Sequence, residues 1–311
     1  MKIIRGLNNI RNEHFGCVAT IGNFDGVHLG HAEILKRLKF KSHQLNMPSV
    51  VIVFEPQPAE YFRRGRVPAR LSRLTEKAQL IRDKEIDFLL VLRFSKDLSS
   101  YTPEQFVQNI LVSRLGIKAL IIGDDFRFGS GRGGDFNLLS TLANFHNFAI
   151  EQTPPFLFIG KRISSTYIRY LLRHGYMREA ERMLGHRYCI EGHVVHGHKQ
   201  GREWGFPTAN LNLYRATCPI SGIFSARVHG LKSTPLMGVA YAGSRPIIDD
   251  PRYVLEVHMF DYDEDCYGAK ISVEFCDRIR DDMEFHSFSA MADQIKRDCE
   301  IARRKLTFDY S

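Results

Sequence analysis

The sequence lacks long hydrophobic runs and paired cysteines, and each absence excludes a class of protein. No apolar stretch in the 311 residues approaches the roughly 20 residues that a helix needs to cross a bilayer. The first residues, Met1 to Arg5, lack the apolar core of a secretory signal. The six cysteines form no C-x-x-C pair, which argues against a zinc site or a redox dithiol. We therefore expect a cytoplasmic protein that has no membrane partner.

Length and charge narrow the possibilities further. The chain is long enough for two hydrophobic cores, and its 44% hydrophobic and 25% charged residues are ordinary for a globular protein. The net charge of +8 could serve nucleic-acid binding, but the basic residues are spread along the chain instead of forming a stripe. A preference for small polyanions such as nucleotides accounts for the same sign. We therefore expect no nucleic-acid partner.

The most informative segment has the order strand, tight turn, helix. Cys17 to Ile21 is a short apolar run, and apolar residues recur at helical spacing from Leu29 to Phe40. His28 and His31 are three residues apart, so both imidazoles should project from the same side of the first helical turn. Two imidazoles beside a helix N-terminus can donate hydrogen bonds to a phosphate and to charge that develops on it.

The glycines of this segment do not follow the two common phosphate-binding patterns. No lysine follows them as a Walker A loop requires, and their spacing is not the G-x-G-x-x-G of a dinucleotide-binding turn. Gly22, Gly26 and Gly30 still allow the backbone to come close to a ligand. The segment therefore predicts a phosphate site of another kind.

Strand-like runs alternate with amphipathic helical segments in the first half of the chain, which predicts a parallel sheet covered by helices. Ligands of such folds bind outside the carboxyl ends of the strands. Two loops there are candidates, residues 54–66 with prolines and aromatics and residues 123–135 with glycines and charges, although each could be a solvated surface loop. The predicted strands are Cys17 to Ile21, Ser49 to Phe54, Phe88 to Leu92, Ala119 to Ile122 and Ala149 to Gln152.

A third candidate segment has hydroxyl side chains immediately before a helical pattern. Ser and Thr are common helix N-caps, and this structural role alone would explain Ser165 and Thr166. Arg162 and Arg169 flank the hydroxyls and add donors and positive charge, which favours an anion at the start of the helix.

The second half changes to short β-type runs punctuated by glycine and proline, which is typical of a small barrel or sandwich. A final helical segment extends from Ser289 to Leu306. His193, His196 and His198 do not share one face of a strand, so we expect no histidine metal site. Glu256 lies in an otherwise apolar strand, where a carboxylate is either ion-paired or catalytic. The predicted strands are Tyr188 to Val195, Gly222 to Val228, Leu236 to Ala242, Tyr253 to Phe260 and Lys270 to Phe275.

Three separated motifs together resemble one family. They are G-N-F-D-G-V-H-L-G-H at residues 22–31, I-S-S-T-Y-I-R at residues 163–169 and G-R-E-W-G-F-P-T-A-N at residues 201–210. They resemble, in order, the motifs of the bacterial bifunctional riboflavin kinase/FMN adenylyltransferase family, also called FAD synthetases. The resemblance implies an α/β Rossmann-like nucleotidyltransferase domain, a parallel sheet with helices, over residues 1–185. It also implies a small antiparallel β-barrel riboflavin kinase domain with a C-terminal helix over residues 186–311.

The resemblance further implies an activity and roles for individual residues. ATP would phosphorylate riboflavin to FMN, and a second ATP would adenylylate FMN to FAD and pyrophosphate. His28 and His31 would be catalytic in the first domain, and Glu256 would be the general base in the second, where Thr208 and Asn210 would hold Mg²⁺. The implied binding residues are Gly22, Asn23, Phe24, Gly30, Asp125, Arg162, Ser165, Thr166 and Arg169 for ATP in the first domain, Pro56, Pro58, Phe62, Arg66 and Phe128 for the flavin, and Gly201, Arg202, Gly205 and Pro207 for ATP in the kinase domain.

The chain departs from the family pattern at three positions, which keeps other functions open. Gln57 replaces a histidine of the flavin segment, and Tyr241 and Ile247 replace an asparagine and a threonine near the kinase site. One alternative is an FMN adenylyltransferase with an impaired kinase half. Another is a flavin- or RNA-binding regulator without turnover, and a third is a different adenylyl or cytidylyl transferase. The oligomeric state is left open.

Overall fold

The structure is a computed structural model that describes residues 1–62, 67–197, 205–213, 217–245 and 252–308. The chain forms two compact units, Met1–Pro68 with Ser72–Ser164 and Ala69–Leu71 with Ser165–Ser311. Each unit has its own sheet and its own core. The predicted domain boundary at residue 185 stays a prediction.

Six parallel strands form the sheet of the first unit. They are β1 (Lys2–Arg5), β2 (Val18–Ile21), β3 (Ser49–Glu55), β4 (Phe88–Arg93), β5 (Ala119–Gly123) and β6 (Ala149–Thr153). They lie in the order β1-β4-β3-β2-β5-β6. Val50 and Ile52 of β3 pack in the core on one face of the sheet, and Val51 and Val53 pack in the core on the other. Both faces are therefore covered, as the continuous apolar runs predicted.

The predicted strands do not include the edge strand β1. Only Ile4 of its four residues is buried, and charged residues lie at both of its ends. A short edge strand with one buried side chain has no apolar run that a sequence pattern could detect. Its position depends on parallel pairing with β4, which is more than 80 residues away in the chain.

The strand order of the first unit creates a topological switch point between β2 and β5. The chain passes from β2 through the first helix to β3, whereas β5 pairs with the other side of β2. The carboxyl ends of β2 and β5 are thus the switch point of the sheet, where ligands bind in open α/β folds. The remaining elements are α1 (Leu29–Leu45), α2 (Pro58–Phe62), α3 (Leu74–Arg82), α4 (Lys96–Ser100), α5 (Pro103–Phe106), a π-helical segment (Val107–Val112), α6 (Phe136–His146), 3₁₀ turns at Leu7–Asn9, Asn12–His14 and Ser130–Arg132, and the short strands β7 (Leu157–Phe158) and β8 (Lys161–Arg162).

A closed antiparallel barrel forms the second unit, which confirms the predicted barrel. Its strands are β9 (Cys189–Val195), β10 (Ala209–Asn212), β11 (Gly222–His229), β12 (Leu236–Arg245), β13 (Arg252–Met259) and β14 (Lys270–Arg280). They close in the order β10-β13-β12-β11-β14-β9. The predicted strands do not include β10, whose first two residues, Ala209 and Asn210, are the last two of the G-F-P-T-A-N motif. This strand closes the barrel because it pairs with both β9 and β13.

The described residues of this unit include three helices, α7 (Ser165–Arg173), α8 (Met177–Leu184) and α9 (Phe288–Phe308). The last of them confirms the predicted C-terminal helix. Ala302 and Leu306 of α9 pack on the outer face of the barrel against Ile223 and Val239. In the part of the chain that the structure describes, no helix is long and apolar enough to cross a membrane.

Candidate active sites

His28 and His31 meet at the start of α1, at the switch point of the first sheet. His28 is the N-cap of the helix, and its Nδ1 accepts a hydrogen bond of 3.3 Å from the backbone N–H of His31. The two rings stack with their centroids 3.7 Å apart and their planes 14° from parallel. A ring nitrogen that accepts carries no proton, so neutral His28 has its proton on Nε2, where it can donate. The predicted projection of both imidazoles from one side is therefore confirmed.

The surroundings of His31 favour its neutral form. Burial, the neighbouring His28 and the Lys77 ammonium, in that order, lower the pKa of His31 well below its usual value. Its Nδ1 is buried and has no hydrogen-bond partner among the residues that the structure describes. A buried polar atom without a partner is costly unless a ligand supplies one. Lys77 is almost fully buried on α3, and no sequence motif pointed to it.

The turn before α1 has a strained backbone that a distant serine holds in place. Phe24 and Val27 have φ of 46° and 40°, a region that a β-branched residue such as Val27 rarely adopts. The Ser72 hydroxyl accepts a hydrogen bond of 2.9 Å from the backbone N–H of Gly26. The backbone N–H of Ser72 donates to Asp25 Oδ1 at 3.0 Å, and both side chains are buried. These contacts stabilise the loop geometry that presents the histidines.

Removal of the Ser72 hydroxyl should therefore destabilise the protein. We expect Ser72→Ala to lower the free energy of unfolding by about 1–3 kcal/mol, because the buried N–H of Gly26 loses its acceptor. The exposed Ser100, whose hydroxyl donates to the Asp97 carbonyl within α4, provides a control in which Ser100→Ala changes stability by less than about 0.5 kcal/mol. Urea unfolding of the two variants measures both effects. Equal midpoints would show that Ser72 does not hold the turn.

Two of the predicted ATP residues meet beyond β5. Arg162 lies 2.8 Å from a carboxylate oxygen of Asp124 and 3.4 Å from one of Asp125. The Asp125 side chain is 80% exposed, so this pair adds little stability and can exchange its partner for a ligand. The turn between β2 and α1, together with the first residues of α1, contains the other predicted ATP residues Gly22, Asn23, Phe24 and Gly30.

The predicted flavin residues have different surroundings. Pro56 follows a cis peptide bond at the end of β3, and Pro58 begins α2. Phe62 is 62% exposed and contacts the ring of Phe94 edge to face. Phe128 is buried and packs against its aromatic neighbours in the core. Arg66 lies outside the described residues, and all four assignments to the flavin stay predictions together with it.

Gln57, which replaces the family histidine, is buried at the same end of β3. Its side-chain Nε2 has no hydrogen-bond partner in the described ranges. Its backbone is held by Glu60, whose carboxylate accepts from the Gln57 N–H at 2.8 Å. The buried side-chain amide therefore has a donor that a ligand could satisfy.

The I-S-S-T-x-I-R residues belong to the second unit. Ser165 and Thr166 are the first two residues of α7, so neither occupies the N-cap position that the sequence interpretation gave them. The guanidinium Nε of Arg169 donates to the backbone carbonyl of Ala69. The role of Ser165, Thr166 and Arg169 in ATP binding stays a prediction.

A row of polar side chains crosses the outside of the barrel. Leu255 and Val257 of β13 point into the barrel and are buried, which leaves Glu256 between them on the outer face. Glu256 lies directly opposite Asn210 of β10 on one side and Tyr241 of β12 on the other. Side chains paired in this way across antiparallel strands have Cβ atoms about 4.5–5.5 Å apart. The strand register therefore brings two predicted kinase residues together.

Asn210 lies against a space that only glycine leaves open. A Cβ on Gly197 would come 2.3 Å from the Asn210 amide nitrogen. No hydrogen bond to the side chains of Thr208 or Asn210 occurs in the described ranges, so both oxygens are available to a cation. His258 bonds the carbonyl of Pro207 at 2.9 Å and holds the segment. The remaining predicted residues of this segment are Gly205, which has φ of +79°, and Gly201 and Arg202, which lie outside the described residues.

The remaining features of the second unit concern metal-ligating groups and further side-chain contacts. Within the described ranges, no group of three or more histidine, cysteine, aspartate or glutamate side chains could hold a metal ion. His198 and Ile247 lie outside those ranges. The Tyr241 hydroxyl donates to Asp282 at 2.9 Å, a contact that no motif indicated. On β14, Arg280 forms a bidentate pair with buried Asp298.

Comparison with known proteins agrees with both halves of this description. The family model described as FAD synthetase matches residues 10–167, and the model described as riboflavin kinase matches residues 184–306. A crystal structure described as a macrolide-efflux protein from Streptococcus pneumoniae matches with a TM-score of 0.85 and 28% sequence identity, covering 97% of this chain and 99% of that chain. That description applies to the Streptococcus protein alone.

Curated relatives match over the full length. A bifunctional riboflavin kinase/FMN adenylyltransferase of Haemophilus influenzae is 43% identical over 97% of this chain and 98% of the relative. Those of Escherichia coli K12 and Pseudomonas fluorescens are 43% and 41% identical, each over 97% of this chain and 97% of the relative. The resemblance inferred from the motifs is thus confirmed, and the chain belongs to the bifunctional riboflavin kinase/FMN adenylyltransferase family.

Proposed function

We propose that the two activities of this family are divided between the two units of the chain, with the histidine pair serving FMN adenylylation and the barrel serving riboflavin phosphorylation. The chain is a riboflavin kinase and FMN adenylyltransferase that makes FMN from riboflavin and ATP, and then FAD and pyrophosphate from FMN and a second ATP. The observation that carries the division is that His28 meets His31 in one unit, whereas Glu256 meets Asn210 in the other.

Adenylylation requires positioning and charge stabilisation and no protein nucleophile. An oxygen of the FMN phosphate attacks the α-phosphorus of ATP, and pyrophosphate leaves with the electrons of the broken P–O bond. Negative charge grows on the bridging and non-bridging oxygens during this displacement. His28 donates through Nε2, and the N-terminus of α1 adds the positive end of its dipole. Arg162 supports the phosphates after exchanging its carboxylate partners for the ligand.

Riboflavin phosphorylation requires a base. The Glu256 carboxylate accepts the proton of the riboflavin 5′-hydroxyl as that oxygen forms its bond to the γ-phosphorus of ATP and ADP leaves. The apolar neighbours of Glu256 fill the barrel interior, so its carboxylate is confined to the outer face where Asn210 lies. The base and the residue proposed to hold the nucleotide's cation are therefore adjacent.

Thr208 and Asn210 fit a magnesium ion. A hydroxyl and an amide carbonyl are hard oxygen ligands of the kind Mg²⁺ prefers, and neither side chain has a hydrogen-bonding partner in the described ranges. Bound there, Mg²⁺ would neutralise charge on the ATP phosphates. Glycine at position 197 leaves the space in which the Asn210 amide lies.

The Gly197 space gives a test of this magnesium site. In Gly197→Ala the new Cβ would lie 2.3 Å from the Asn210 amide, so Asn210 must move. We expect the Mg²⁺ concentration for half-maximal FMN formation to rise about tenfold, as for other residues that position metal ligands. FAD formation from added FMN serves as the internal control. An unchanged Mg²⁺ requirement for FMN formation would exclude Asn210 as a ligand.

Product analysis tests the function as a whole. The pure protein is incubated with riboflavin, ATP and Mg²⁺, and the flavins are separated by chromatography over time. We expect FMN first and FAD afterwards. FAD from added FMN without any FMN from riboflavin would indicate an impaired kinase half, and no product from either flavin would indicate a binding protein without turnover.

A further inference from the structure

Tyr241 lies beside the proposed base and has no assigned role. It pairs with Glu256 across β12 and β13, on the same outer face of the barrel. The backbone register brings the two side chains to adjacent positions at the spacing of cross-strand partners. Tyr241 is also one of the positions where this chain departs from the family pattern.

The far end of the Tyr241 side chain is fixed by a second contact. Its hydroxyl donates a hydrogen bond of 2.9 Å to Asp282 Oδ2, and Asp282 Oδ1 accepts one of 2.9 Å from the N–H of Met283. A Cβ on Gly243 would lie 2.4 Å from the Tyr241 hydroxyl, so the ring occupies a space that only glycine leaves open. The ring packs against the apolar cluster under α9. The β12 backbone, the apolar cluster under α9 and the hydrogen bond to Asp282 therefore hold the Tyr241 ring in one orientation.

This arrangement has two consequences for Glu256. A rigid ring at a neighbouring position limits the rotamers that the Glu256 side chain can adopt, which favours one orientation of the carboxylate. The single phenol proton is donated to Asp282, so the hydroxyl does not donate it to Glu256.

We propose that Tyr241, held by Asp282, is a positioning residue that orients Glu256 for riboflavin phosphorylation. This inference rests on the proposed role of Glu256 as the general base. It extends that role to two residues, one on β12 and one after β14, that act through the base and do not touch the reacting atoms.

Loss of the hydroxyl alone tests the inference. We expect Tyr241→Phe to lower kcat for FMN formation about threefold to tenfold, the size expected for one lost hydrogen bond, with KM for ATP unchanged. FAD formation from added FMN should keep its rate. Tyr253→Phe is the matched control, because the Tyr253 hydroxyl on β13 bonds the backbone carbonyl of Ile220 instead. A wild-type kcat for Tyr241→Phe would overturn the proposal.

A second pair of variants covers the case in which the Phe variant folds poorly. Asp282 is exposed, so its replacement does not disturb the core. Asp282→Ala should reproduce the loss of kcat, whereas Asp282→Asn keeps an acceptor for the phenol and should restore most of the rate. Equal rates for the alanine and asparagine variants would also overturn the proposal.

The decisive measurement repeats Tyr241→Phe in a Glu256→Gln background. If Tyr241 acts through Glu256, its change has no further effect on the residual FMN formation, because the base it orients is absent. A full threefold to tenfold loss in that background would show that Tyr241 acts independently of Glu256. Full kinase activity of Glu256→Gln alone would instead refute the proposed base, which separates the two failures.

Discussion

Replacement of His28 by alanine should reduce FAD formation from added FMN by about 10²-fold to 10³-fold and leave FMN formation from riboflavin at its normal rate. The variant loses the Nε2–H donor of the neutral ring, whose Nδ1 accepts from the His31 N–H. It also loses the ring that stacks on His31 at 3.7 Å. Separate initial rates with FMN and with riboflavin, at saturating ATP and Mg²⁺, measure the two effects.

The capping role of His28 calls for its own control. Loss of an N-cap costs about 1 kcal/mol of stability even without any catalytic role. Thr102 caps α5 of the same unit, where its hydroxyl accepts from the Gln105 N–H at 3.2 Å. Thr102→Ala should therefore lower stability by a similar amount without changing FAD formation. His28→Asn, which keeps a capping acceptor, should be as inactive as the alanine variant. Normal FAD formation by His28→Asn would show that His28 acts only as the N-cap of α1 and has no catalytic role.

Glu256→Gln should give the opposite pattern. We expect FMN formation to fall by about 10²-fold or more, because glutamine keeps the shape of the side chain but cannot accept the proton of the riboflavin hydroxyl. FAD formation from added FMN should be unaffected, since the histidine pair lies in the other unit. The same two initial-rate assays give the result.

Glu191 supplies a matched glutamate on the same barrel. It lies on β9 and forms an ion pair of 2.6 Å with Lys270, so Glu191→Gln removes a charge from the barrel without touching the polar row. We expect both activities of Glu191→Gln to stay near normal. If Glu256→Gln slowed both activities equally, the division of function between the units would be wrong.

The parts of the site that the sequence predicts well are those whose partners are close in the chain. His28 and His31 are three residues apart, so their spacing alone was enough to predict that both imidazoles project from the same side of the first helical turn, where the structure stacks the rings. The alternation of apolar runs and helical segments likewise predicted the parallel sheet, and the short runs of the second half predicted a small barrel or sandwich, of which the structure has the barrel. Each of these patterns is imposed locally by backbone geometry.

Other parts of the site depend on partners that are far apart in the chain. Ser72 holds the Asp25–Gly26 turn from 46 residues away, and no local pattern marks it as part of the histidine site. A lysine in a helix is usually exposed on the surface. Lys77 of α3 is instead buried, and its positive charge lowers the pKa of His31. Burial of this kind appears only when the elements pack.

For this protein, the sequence by itself determined the family, the order of the two domains and the identity of the histidine pair, the glutamate and the candidate magnesium ligands. The tertiary structure alone decided which of these side chains are neighbours. Asn210, Glu256 and Tyr241 form one row because the strand register aligns β10, β13 and β12, and a shift of one residue would turn Glu256 into the barrel interior. Helical and strand periodicities are local properties of the chain, whereas register and burial arise only from contacts between distant segments.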